Sequence, residues 1–119
     1  MAKLAEIAYF VDDIPGMTDF YRRLLGSEPV AQSEKMAIFL LGETRLFLHY
    51  IYQPTKDELS PENHIAFSVA NLDETCSQLE AVGLVLEIPP ASYYWGRSAY
   101  LRDPGGQLIE LAEAQKDLS

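Results

Sequence analysis

The chain has 119 residues, 48% of them hydrophobic, which suits one ordinary domain with a real core and argues against disorder. A net charge of −9 argues against a nucleic-acid partner, which needs concentrated Lys and Arg, and would attract cationic small molecules. The lone cysteine, Cys76, cannot close an internal disulfide. With no apolar run of membrane length and no secretory leader, the expectation is a cytoplasmic protein without a membrane partner.

The first strand is expected near 3–11, with Leu4, Glu6, Ala8 and Phe10 on one face and Ile7, Tyr9 and Val11 on the other. Asp12-Asp13 and Pro15 open a helix whose apolar stripe is Ile14, Met17, Phe20, Tyr21, Leu24 and Leu25, stopping at Gly26. Strands near 28–32, 35–41 and 45–52 follow, with a tight turn at Gly42-Glu43-Thr44. Residues 53–62 carry two prolines and read as a linker or a mobile loop over a cleft.

The pattern then begins again. His64-Ile-Ala-Phe-Ser-Val-Ala-Asn71 repeats Glu6-Ile-Ala-Tyr-Phe-Val-Asp-Asp13, so Glu6 and His64 hold equivalent positions. Asn71 and Glu74 form a capping pair for a helix near 72–82 with the stripe Leu72, Cys76, Leu79 and Val82, and Gly83 follows. Strands near 85–88, 96–102 and 107–113 complete the second copy, and Asp103-Pro-Gly-Gly106 turns between the last two. The fold class is therefore α+β, with two tandem βαβββ modules in a single domain over 1–119. Module 1 covers about 1–52, the linker 53–62 and module 2 about 63–115.

This duplication, the phrase Asp13-Ile-Pro-Gly-Met-Thr-Asp-Phe-Tyr-Arg-Arg-Leu-Leu-Gly26 and the closing Trp95-Gly-Arg-Ser-Ala-Tyr-Leu-Arg-Asp-Pro-Gly-Gly-Gln-Leu-Ile-Glu-Leu111 resemble the vicinal oxygen chelate superfamily. That group includes glyoxalase I, methylmalonyl-CoA epimerase, extradiol dioxygenases, fosfomycin-resistance enzymes and bleomycin-resistance binding proteins. The resemblance implies a cupped mixed sheet with the helices outside and a divalent metal on the concave face. Its ligands would come from the first and last strand of each module. Carried over, these are His64 and Glu110 in module 2 and Glu6 where module 1 usually has a histidine. For the fourth position, matching the turns places Leu48, which cannot bind a metal; sliding by one residue would bring His49 instead.

One nitrogen and two carboxylate donors suit Zn, Ni, Mn or Fe with open positions for substrate oxygens. Glu6 and Glu110 are the candidate catalytic carboxylates. Each residue also has a plainer reading. Glu6 could reach water from a strand end, His64 could be a satisfied core or edge histidine, and Glu110 could pair with Arg97 or Arg102.

Tyr93-Tyr94-Trp95, in a Pro89-Pro90 loop, with Tyr50 and Tyr52 opposite, reads as lid packing or as a stacking wall for a planar or cationic ligand. Tyr50, Tyr93, Trp95 and Arg97 are the candidate substrate contacts. Nine Lys and Arg in all offer little for the phosphonate of a fosfomycin-type substrate. Two functions remain: a metal-dependent lyase, isomerase or dioxygenase acting on a small oxygen-rich molecule, or a metal-free binder of a hydrophobic or cationic compound. Open sheet edges in so small a domain point to a homodimer.

Overall fold

The computed structural model describes residues 2–56 and 58–114. It is an α+β protein in which the βαβββ order occurs twice. The first copy is β1 (Lys3–Val11), α1 (Ile14–Leu25), β2 (Ala31–Gln32), β3 (Met36–Leu41) and β4 (Thr44–Tyr50). The second is β5 (His64–Val69), α2 (Leu72–Ala81), β6 (Leu86–Tyr93), β7 (Gly96–Arg102) and β8 (Leu108–Glu113). The chain forms two compact units, one of Glu6–Asn63 and one joining the residues up to Ala5 with those from His64 onward. Among the described residues no helix is long and apolar enough to cross a membrane.

In the first unit the strands run β2-β3-β4-β1, with β1 and β4 parallel and the other neighbours antiparallel. Helix α1 starts where the Asp13 side chain accepts the Gly16 amide at 2.9 Å, satisfying an N–H with no partner inside the helix. A Cβ at residue 16 would run into the Asp13 carboxylate, so any larger residue there would force the capping side chain to turn. The helix ends at Gly26, left-handed at φ 66°.

Its inward residues cover Val11, Ala37, Phe39, Leu46 and Leu48, with Met17, Tyr21, Leu25 and Tyr50 packed around them. Phe20 and Leu24, expected in the stripe, are more than half exposed, so the buried stripe is narrower than the periodicity suggests. Residues following β4 are tied down by hydrogen bonds: Tyr52 Oη to the Leu59 carbonyl at 2.7 Å, and the Phe10 amide to Asn63 Oδ1 at 2.8 Å.

The second unit repeats the scheme as β5-β8-β7-β6, with β5 and β8 parallel. Asn71 caps α2 by accepting the Glu74 amide at 3.0 Å. The helix seals Val69, Leu72, Cys76, Ala99, Leu101 and Leu111, flanked by Phe67, Leu79, Leu86 and Ile109. Val82, expected in that stripe, ends the helix and is exposed.

Two expectations change. Pro89 and Pro90 lie within β6, not in a loop over a cleft. A strand at the sheet edge tolerates residues without an N–H, and the pairing with β7 shifts register between Ile88 and Ala91 to take them in. Only Tyr94 and Trp95 remain as the turn into β7.

The second change concerns β4. Leu48 does not face the Glu6 side of the sheet: it is fully buried against α1, paired with Tyr9. The residue that matches Glu110 is Phe47, because Ala8 pairs with Phe47 as Ala66 pairs with Glu110. Turn matching misplaced it because the hairpins differ. Leu41 pairs with Thr44 across a tight turn, whereas Arg102 pairs with Leu108 around the longer loop built on Asp103. Strand pairing fixes register, and a one-residue error reverses the face.

Candidate metal centre

In the second unit, alternation places His64, Ala66, Ser98, Tyr100 and Glu110 on the sheet face opposite α2. His64 opens β5, and Glu110 sits in the middle of β8, diagonal to it. The alanine at 66, beside Glu110, leaves room for the two long side chains to meet. His64 Nε2 and Glu110 Oε1 are 3.1 Å apart. The other carboxylate oxygen, Oε2, accepts a 2.7 Å hydrogen bond from the hydroxyl of Ser98.

Glu110 is only 6% exposed, and an isolated buried carboxylate would take up a proton. Burial is the largest influence and pushes its pKa up. Hydrogen bonds from His64 and Ser98, the charge of His64 and, last, the nearby indole N–H of Trp95 together outweigh it, and the carboxyl lies below its ordinary value. The centre is thus built to keep an anion in place.

Aromatic rings surround this pair. Tyr100 is buried and meets the His64 ring edge-on at 6.3 Å. Tyr93 stands edge-on to Tyr100 and stacks flat on Trp95, with 4.5 Å between centroids and 1° between planes. Burial first, then the charge of Glu110, raises the Tyr93 phenol. Tyr93 and Trp95 therefore flank the carboxylate. Ser98 and Tyr100 went unremarked there, although alternation from Glu110 across a β7–β8 hairpin would have pointed to Tyr100.

The remaining candidates lie elsewhere. Arg97 is on the opposite strand parity and grips Asp73 in the first turn of α2 with two bonds of 2.9 and 3.0 Å, so it pairs with the helix and not with Glu110. Arg102 pairs with Glu87. Tyr50 packs against the α1 core of the first unit, with the Lys35 ammonium 5.6 Å from its ring centre. Glu6, also in the first unit, lies on the face of Ala8, Phe47 and His49, and its Oε1 accepts from Arg45 Nε at 3.1 Å. His49 sits opposite Phe10 among Phe10, Phe47 and Tyr52, with Nδ1 2.7 Å from the Tyr50 carbonyl.

The donor set of the second unit fits a divalent ion. Two donors sharing one ion at about 2.1 Å and a right angle stand about 3 Å apart, and His64 Nε2 and Glu110 Oε1 are 3.1 Å apart. A family model, that of the glyoxalase/bleomycin resistance protein/dioxygenase superfamily, matches residues 3–111. The chain belongs to this superfamily.

Among superfamily relatives, metallothiol transferase FosB of Shouchella clausii (strain KSM-K16) is 30% identical over 112 residues, spanning 88% of this chain and 75% of that protein. A hypothetical protein from Bacillus halodurans C-125 superposes with a TM-score of 0.77 at 22% identity, covering 99% of this chain and 98% of the other. The methylmalonyl-CoA epimerase of Mycobacterium tuberculosis gives a TM-score of 0.70 at 22% identity, with coverage of 95% and 88%. These two structural likenesses speak for the superfamily fold alone.

Proposed function

We propose that this superfamily member is a divalent-metal-dependent enzyme acting on a small oxygen-rich molecule, with His64 and Glu110 as protein ligands. The observation that carries the reading is the buried His64–Glu110 pair, held 3.1 Å apart with the carboxyl below its ordinary value. The bound ion, Zn, Ni, Mn or Fe, would polarise a substrate carbonyl or hydroxyl. Glu110 is the anchored ligand, its second oxygen held by the Ser98 hydroxyl.

Tyr93 and Trp95 wall the substrate. The reaction belongs to the lyase, isomerase or dioxygenase types, and the name of the FosB relative adds group transfer to that range. Arg22, Arg23, Arg45, Arg97 and Arg102 are all engaged by carboxylates. That favours a substrate held through oxygens at the ion over one held as an anion by arginine. The protein would act in the cytoplasm as a homodimer.

A second reading, a metal-free binder, draws on the flat Tyr93–Trp95 stack, a ready surface for a planar or cationic ligand. Metal analysis of untagged protein and calorimetric titration with Mn²⁺, Ni²⁺ and Zn²⁺ separate the two. Micromolar binding supports the enzyme; no binding of any of the three removes it in favour of the binder.

A further inference from the structure

We propose that Ser98 is the positioning residue for the Glu110 carboxylate and that, through Trp95, it couples this carboxylate to the aromatic stack. Ser98 is fully buried in β7. Its partners across the two neighbouring strands are Ala91 and Ala112, small residues that leave the space above the hydroxyl to the indole and the carboxylate. Trp95 Nε1–H donates to Ser98 Oγ at 3.1 Å. A hydroxyl that accepts from an indole turns its own proton away from it, and here the proton goes to Glu110 Oε2 at 2.7 Å, a charge-assisted length.

The two carboxylate oxygens therefore have separate partners, Oε2 with Ser98 and Oε1 with His64. A carboxylate restrained in this way offers one oxygen, Oε1, to an ion beside His64 instead of rotating to offer both. That consequence rests on the metal reading above; the restraint itself does not.

The same chain of bonds runs outward. The indole that orients Ser98 is stacked on Tyr93 and met edge-on by Tyr94, which is almost wholly exposed. A ligand that enters or shifts this stack moves the N–H that orients the hydroxyl, and so reaches the carboxylate without touching it. Trp95 is the single tryptophan of the chain, so one indole N–H resonance reports the whole relay.

The test uses the intact protein, wild type, Ser98→Ala, Ser98→Thr and Trp95→Phe, with proton NMR of the indole N–H and calorimetric titration of Mn²⁺ and Zn²⁺. In metal-free Ser98→Ala the indole resonance is expected to move and to exchange faster with water, and Ser98→Thr, which keeps the hydroxyl, is expected to restore it. Zn²⁺ should shift the resonance in wild type and leave it in place in Ser98→Ala. Ion affinity should fall ~10–100-fold in Ser98→Ala, the range for an outer partner of a metal ligand, and by less in Trp95→Phe. An indole resonance indifferent to Ser98→Ala overturns the inference, as does ion affinity within twofold of wild type in that variant. Absence of ion binding in wild type, with the indole still moved by Ser98→Ala, overturns the enzyme reading alone and supports the coupling.

Discussion

Phe47 occupies in the first module the register position that Glu110 occupies in the second: each lies opposite an alanine, Ala8 or Ala66, that is two residues past Glu6 or His64. The duplicated scaffold thus carries a carboxylate at two of its four equivalent positions, Glu6 and Glu110, a histidine at the third, His64, and a phenyl ring at the fourth, Phe47. His49 lies two residues further along β4, at the position of Ala112, opposite Phe10 and not Ala8. His64→Ala is therefore expected to weaken ion binding by at least tenfold, since it removes the one nitrogen donor, while His49→Ala leaves it within twofold. Calorimetric titration of Zn²⁺ into both variants checks this, and loss in His49→Ala would show that the fourth position is filled after all.

Leu48 offers a test of the same register by stability. It is fully buried against Phe39, Leu46 and Val11 beneath α1. Leu48→Ala should cost about 2–5 kcal/mol, the range for a leucine removed from a packed core. Phe47→Ala, on the half-buried opposite face, should cost less. Urea denaturation of the two variants distinguishes them, and equal losses would contradict the assignment of faces.

The repeat was legible because each module carries its own local signals: the Asp13 and Asn71 caps, the Gly26 stop and the alternation of β1 and β5. The equivalence of Glu6 and His64 followed from the repeat alone. The register of β4 did not, because the turns at Gly42-Glu43 and Asp103–Gln107 differ in length, and only the pairing of whole strands settles it. Arg97 was misleading for a related reason. A charged residue near Glu110 in sequence pattern sits on the other face, where Asp73 at the start of α2 meets it. Ser98 left no signal, since a serine in a strand acquires meaning only from the carboxylate and indole that fold around it.

Arg97→Gln is accordingly expected to leave ion binding within twofold of wild type. The Arg97–Asp73 bond is at the surface, and such pairs contribute little and less at high salt. A small loss of thermal stability that shrinks in molar salt is the expected outcome, read by calorimetric melting at two salt concentrations. A loss of ion or ligand binding in this variant would instead place Arg97 in the functional site.

Acid should act on the metal-free protein through Glu110. Its carboxyl is below its ordinary value in the folded state: burial raises it, and the bonds from His64 and Ser98 more than reverse that. A group with a depressed folded pKa stabilises the fold fully above its unfolded value, and this contribution disappears as pH falls through the folded value. Stability should therefore decline on acidification from roughly pH 4 downward. Glu110→Gln keeps the size of the side chain but cannot ionise. It is expected to lose roughly 1.5–3 kcal/mol at neutral pH, where charged hydrogen bonds are forfeited, and to show a flatter acid limb than wild type. Asp73→Asn should flatten that limb by less, because Asp73, lowered by its bond to Arg97, is exposed and screened. Urea midpoints measured from pH 3 to 7 for the three proteins decide the matter. If wild type and Glu110→Gln run parallel over that range, the carboxylate is not held ionised by His64 and Ser98.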